Sequence, residues 1–124
     1  MLRNEKGFTL IEIIAVLVIL GILAAVAIPK YISMMDQSRT SAAQGAIAEV
    51  KSRASSYYAN QLLQGLTPSG ANVLTSVGGV PYLGSDFTVK AEQSGSNDVL
   101  ITVSEVKGVT LNSNVIGTWF FPVT

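Results

Sequence analysis

The chain has 124 residues with eight basic and eight acidic side chains, so it has room for one domain and offers no charge excess to a nucleic acid. It contains neither cysteine nor histidine. That removes disulfides, thiolate and imidazole metal sites and the common nucleophilic mechanisms together. No paired-carboxylate or Ser–Lys spacing takes their place, and the expectation is a non-enzyme with no cofactor and no metal.

The chain opens on a short polar stretch, Met1 to Gly7, carrying Arg3 and Lys6. An almost wholly apolar run follows from Phe8 to Ile28 and closes on Pro29. A helix of about 20 apolar residues crosses a hydrocarbon core of roughly 30 Å. Arg3 and Lys6 would hold the N-terminus in the cytoplasm and leave the rest of the chain outside. A secretory signal is the alternative, because Ala25-Val26-Ala27 has the small residues of a cleavage site. A binding or enzymatic domain would then be released after Ala27. Against this, the apolar run is longer than a signal needs, and it contains an acid, Glu12. An ionised carboxylate at the centre of a membrane helix costs about 2.5–3.5 kcal/mol, less near its end, and it calls for a partner.

Gly7-Phe8-Thr9-Leu10-Ile11-Glu12 after a short basic leader resembles the processing site of type IV prepilins and type II secretion pseudopilins. The resemblance runs from residue 3 to about residue 35. It implies that a membrane-embedded prepilin peptidase and methyltransferase cuts after Gly7 and methylates the new amino group of Phe8. It further implies that Glu12 pairs with the Phe8 amine of a neighbouring subunit in a homopolymer. The other implied partners are the lipid bilayer before assembly and an inner-membrane assembly platform with its ATPase. The implied locations are the bacterial inner membrane for the precursor and an extracellular filament for the product. A type IV major pilin is the leading expectation, and a pseudopilin of a short periplasmic filament is the alternative. Gly21 and Pro29 fall where the family places helix-breaking residues.

Pro29 lacks an N–H and its ring pushes on the carbonyl of Ala25, so a kink is expected there. Beyond it the helical period continues through Ala43, Ala46, Ile47, Val50, Ala54, Tyr57, Tyr58 and Leu62. Glu49 and Arg53 form an i,i+4 pair. Gly65 is the stop signal, and Thr67-Pro68-Ser69-Gly70 reads as a turn. Residues 65–85, rich in glycine and proline, read as a connecting loop with at most short strands at Val73–Val77.

Period-two alternation places Phe87, Val89 and Ala91 on one face of a strand. Ser94 to Asp98 reads as a hairpin loop, and Val99 to Val106 as the returning strand. Lys107-Gly108 breaks the run, and Val109–Leu111 and Val115–Phe121 read as further strand. Ser94, Asn97 and Asp98 have calcium-ligand chemistry, but a turn accounts for them better. The nine aromatics likewise read as core and sheet rather than as an electron path. With no cysteine, the C-terminal end must be held by hydrogen bonds and packing.

The expected fold is α+β: a helix over about 8–64, kinked near Pro29, on an antiparallel sheet of three or four strands. Its parts are a leader (1–7), a transmembrane and assembly helix (8–28), an amphipathic continuation (29–64), a connecting loop (65–85) and the sheet (86–124).

Overall fold

The computed structural model describes residues 6–77, 84–95 and 97–122. Most of the expected leader, with Arg3, lies outside the described residues, as do Gly78, Gly79 and Pro81 of the expected loop. The chain forms two compact units, one ending at Met35 and the other beginning at Asp36. Five elements follow in order: α1 (Leu10–Leu63), α2 (Gly70–Val77), β1 (Phe87–Ser94), β2 (Asp98–Val106) and β3 (Val109–Trp119).

α1 contains Pro29 without interruption. It stops where expected, and for the expected reason. Gly65 takes φ 71°, its N–H donates to the Leu62 carbonyl (3.0 Å), and the Leu66 N–H donates to the Gln61 carbonyl (3.0 Å). These are the paired bonds of a Schellman cap, which satisfies carbonyls the helix end would otherwise leave bare.

Within the second unit α1 buries Ala43, Ala46, Ile47, Val50, Ala54 and Tyr58 against the sheet. The apolar stripe read from the sequence is that face, with two adjustments. Tyr57 is only half-buried, and Leu62, in the last turn, is 48% exposed. Glu49 and Arg53 pair at 2.8 Å on the surface, where such a bond contributes a few tenths of a kcal/mol.

Among the described residues the sheet is antiparallel with order β1-β2-β3, three strands where three or four were expected. The two apolar stretches of the last segment belong to one strand interrupted by a bulge. Val103 pairs with Val115 and Glu105 with Thr110, so Leu111 to Asn114 stand opposite the single residue Ser104. Ser104 is also the extra residue relative to β1, where Thr88 pairs with Glu105 and Val89 with Val103. That one-residue slip explains the burial along β2. Val99, Ile101 and Val103 alternate inward, and Val106 faces inward three positions later. Lys107 (φ 52°) and Gly108 (φ 73°) form the two-residue turn between β2 and β3, both in the left-handed region such hairpins require.

The segment 65–85 departs from the sequence reading, because α2 occupies the place where short strands were expected. The β-branched valines argue for strand by propensity. Their four-residue spacing, however, puts Val73 and Val77 on one helical face, and both are buried. The helix start is fixed from two sides. The Ser69 hydroxyl accepts from the Asn72 N–H (3.3 Å), and Asn97 Oδ1 accepts from the Gly70 N–H (3.1 Å). Gly70 has no room for a side chain, since a Cβ there would collide with the Asn97 backbone.

β3 lies along α1. Asn112 Nδ2 donates to Asp36 Oδ2 (3.2 Å), Gly117 faces Ile47 and Lys51, and Trp119 Nε1 donates to Ser55 Oγ (2.9 Å). A Cβ at Gly117 would strike Ile47 Cγ2, so glycine permits the strand to approach the helix here.

The C-terminal end is held without a covalent link. The Phe121 N–H donates to Asp98 Oδ1 (2.8 Å), and the Tyr58 hydroxyl donates to the Pro122 carbonyl (3.3 Å). Tyr58, Trp119 and Phe121 meet edge to face with ring centroids 5.2–6.1 Å apart. Such pairs add about 0.5–1.5 kcal/mol each beyond area burial. Asp98→Ala removes a charged acceptor from a part-buried amide and is expected to cost about 1.5–3 kcal/mol. Asp98→Asn keeps an acceptor oxygen and is expected to cost less. Chemical unfolding of the detergent-solubilised chain, followed by fluorescence of its single tryptophan, Trp119, measures both variants. Equal stability of Asp98→Ala and the parent chain would show that the bond does not hold the end.

Candidate processing and assembly site

From Leu10 to Met35 every residue of α1 is exposed. Its membrane-length apolar window has 0% of its residues buried within the protein. The first unit therefore presents a helix whose side chains have no partner surface in their own unit. Isolated exposed leucines are ordinary, whereas a contiguous apolar surface of this length marks a contact with lipid or protein.

At its start, residues 6–9 are non-helical and exposed. Gly7 has nothing within 4 Å of where a Cβ would stand, and Phe8 is 85% exposed. The bond between Gly7 and Phe8 thus lies outside the helix, in backbone with no secondary-structure hydrogen bonds to break. A peptidase requires its substrate in that condition.

The helix begins at Leu10, two residues later than the sequence reading placed it, and side chains set that boundary. The Glu12 carboxylate accepts from the Thr9 N–H through Oε2 (2.8 Å), and Thr9 Oγ1 accepts from the Glu12 N–H (3.4 Å). This reciprocal pair is a capping box with Thr9 as N-cap and Glu12 at the third helical position. The acid also sits at the positive end of the helix dipole. Thr9 was missed as a site residue although its signal was legible, since Thr9-Leu10-Ile11-Glu12 before an apolar run has the T-x-x-E spacing.

The capping box changes how Glu12 is understood. Among the described residues no cation lies within ion-pair reach of it. One oxygen is nevertheless engaged by backbone, so among the described residues the acid is hydrogen-bonded but has no ion-pair partner. The bond joins Glu12 to the residue immediately after Phe8. An amine created at Phe8 would therefore emerge beside a carboxylate already turned toward that end of the helix.

Gly21 and Pro29 both lie inside α1. Nothing within 4 Å crowds the missing Cβ of Gly21, and its φ is not positive. Neither local packing nor backbone conformation in this chain therefore requires glycine there.

The other candidates are accounted for structurally. Asn97 Oδ1 caps Gly70 and Asp98 Oδ1 binds the Phe121 amide. Among the described residues no group of three or more His, Cys, Asp or Glu side chains could hold a metal ion. Tyr58, Trp119 and Phe121 form the packed cluster already described, while Phe120 is 72% exposed.

Residues 2–28 match the family model of the prokaryotic N-terminal methylation motif. The chain is 39% identical over 72 residues to type II secretion system core protein G of Pseudomonas aeruginosa, covering 58% of this chain and 51% of the relative. It is 33% identical over 105 residues to fimbrial protein EcpC of Eikenella corrodens, covering 85% of this chain and 66% of the relative. With the type IV major alpha-pilin of Moraxella bovis it shares 41% identity over 67 residues, 54% of this chain and 40% of the relative. The chain thus spans between two fifths and two thirds of the length of these relatives. No solved structure matches it. With the methylation motif at its start and a long helix packed on a three-stranded antiparallel sheet, the chain belongs to the type IV pilin and type II secretion pseudopilin family, whose members are structural proteins and not enzymes.

Proposed function

We propose that the chain is stored in the bacterial inner membrane, cut after Gly7, methylated at Phe8 and polymerised as the major subunit of a type IV pilus. The observation that carries this reading is the unfolded Gly7–Phe8 junction directly ahead of an acid-capped helix with no buried residue before the second unit. Before assembly, lipid surrounds the helix; in the filament, the helices of neighbouring copies replace lipid. A prepilin peptidase and methyltransferase, an assembly platform and its ATPase act on the chain, which supplies no chemistry itself. A short periplasmic pseudopilus is the second reading, favoured by the likeness to core protein G. Antibody labelling for this chain on surface filaments separates the two readings.

The peptidase step makes Gly7 demanding. A residue there must enter a narrow site, and Gly7→Val adds an isopropyl group to a position that has no side chain. The expected outcome is an uncut precursor that remains in the membrane, read as unshifted mass and absence of N-methylphenylalanine. Normal filaments from this variant would remove the assignment of Gly7.

For Glu12 the capping box supplies a control. Glu12→Gln keeps an acceptor for the Thr9 N–H and removes the charge, while Glu12→Ala removes both. Burying the Phe8 ammonium without a counter-charge costs about 3–5 kcal/mol. Both variants are therefore expected to be cut and inserted normally, with filament yield at least roughly a hundredfold lower. Assembly of Glu12→Gln at the parent level would mean that Glu12 serves only as a cap.

Gly21, where nothing crowds the missing Cβ, and Pro29 are given a role by assembly. In lipid every backbone group must be satisfied, and α1 is helical throughout. Packed among other helices, the segment between Gly21 and Pro29 is expected to unwind and lengthen by roughly 1.8 Å per residue, the difference between extended and helical rise. A filament map of sufficient detail tests this, and a continuous helix through residues 21 to 29 would refute it.

A further inference from the structure

We infer that Lys30 and Tyr31 form a docking site for phospholipid headgroups that fixes the depth of the apolar helix in the bilayer. This rests on the membrane-stored precursor proposed above, and it concerns the first unit alone.

Four observations converge on those two residues. The helix rises about 30 Å from Leu10 to Lys30 at 1.5 Å per residue, which matches the thickness of a hydrocarbon core. No charged residue other than Glu12 lies between Lys6 and Lys30, so these two lysines bracket the span. Lys30 is exposed and has no carboxylate partner among the described residues. Its neighbour Tyr31 is 66% exposed, with an apolar ring and a polar tip, the chemistry enriched where hydrocarbon meets headgroups.

Pro29 supplies an independent reason for the interface to lie here. It contributes no N–H, so the Ala25 carbonyl one turn below has lost its helical donor. In the middle of a bilayer that group would stay unsatisfied, whereas within a turn of the headgroups water reaches it.

A deeper placement, with the interface at Asp36, is the competing geometry, because Ile32, Met34 and Met35 are also exposed. That span would rise about 38 Å from Leu10 to Met35, more than the hydrocarbon core holds without tilt. With the anchor at Lys30 and Tyr31, residues 32–35 occupy the headgroup layer. The occupant is then the phosphodiester of a lipid headgroup: the Lys30 ammonium meets its charge, and Tyr31 lies along the ester level.

The chain has no cysteine, so single cysteines report alone. Ala24→Cys, Ser33→Cys and Ser38→Cys are made in the full chain, reconstituted into vesicles of phosphatidylethanolamine and phosphatidylglycerol. A membrane-impermeant maleimide is applied, and labelling is normalised to Ser38→Cys, which reports orientation. The parent background is expected to protect Ala24→Cys and expose Ser33→Cys. Replacing Lys30→Leu and Tyr31→Leu together extends the apolar run and is expected to draw Ser33→Cys into hydrocarbon, lowering its labelling at least about fivefold. Lys30→Arg with Tyr31→Trp is expected to restore it. Unchanged labelling of Ser33→Cys in the double-leucine background overturns the anchor. Labelling of Ala24→Cys in the parent background instead overturns membrane storage itself, so the two failures are told apart.

Discussion

An apolar helix with no surface in its own unit to lie against is the constraint on which the rest of this molecule depends. The window of α1 long enough to cross a membrane has no buried residue, although side chains of this kind gain about 1.5–3 kcal/mol each on full burial. Summed over the segment, the unmet burial is on the order of 30 kcal/mol, several times the net stability of a small domain. No local adjustment offsets that. The segment must be taken up by lipid or by other helices, and the proposed life of the subunit is a transfer from the first to the second.

The second unit closes a core of its own. Its core is closed by Ala43, Ala46, Ile47, Val50, Ala54 and Tyr58 of α1, together with α2 and the inner faces of three strands. Small side chains on α1, and glycine at position 117 opposite, let helix and strand approach closely. The remaining weak point of a small sheet domain is its last strand. Here a carboxylate, Asp98, and a tyrosine hydroxyl from α1 hold backbone groups of residues 121 and 122, and three rings lock around them. These contacts span more than sixty residues of sequence between Tyr58 and Pro122, the kind of long-range tie that a disulfide would otherwise provide.

What the sequence disclosed follows from which signals are local. The membrane-length run, the stop at Gly65, the alternation in β1 and the break at Lys107-Gly108 are each set within a few residues, and each was legible. α2 was not, because Val73 and Val77 carry strand propensity while their helical state depends on Ser69 and on Asn97, a residue distant in sequence. The union of two strand pieces into β3 was equally hidden. It depends on where Ser104 sits in the register between strands, which no single segment encodes. At the site, Glu12 stood out as an anomaly of composition, whereas Thr9 was overlooked because threonine among aliphatic residues looks unremarkable until its partner three positions on is counted.

That partnership bears on how a carboxylate is kept at the edge of a membrane and remains usable. An acid paired with a buried cation in the same subunit would be hard to recruit, because breaking such a pair costs about 3–5 kcal/mol. A helix cap is worth about 1 kcal/mol. Held by the Thr9 N–H, Glu12 is oriented, spared full desolvation and released at small cost. On the proposed reading, cleavage creates an amine one residue from this cap, and a neighbouring copy offers the same amine in a medium where opposite charges attract strongly. The stronger interaction then displaces the weaker one only when another subunit is present. On that reading, the capping bond to Thr9 holds Glu12 in place before assembly and gives way to the amine of a neighbouring copy.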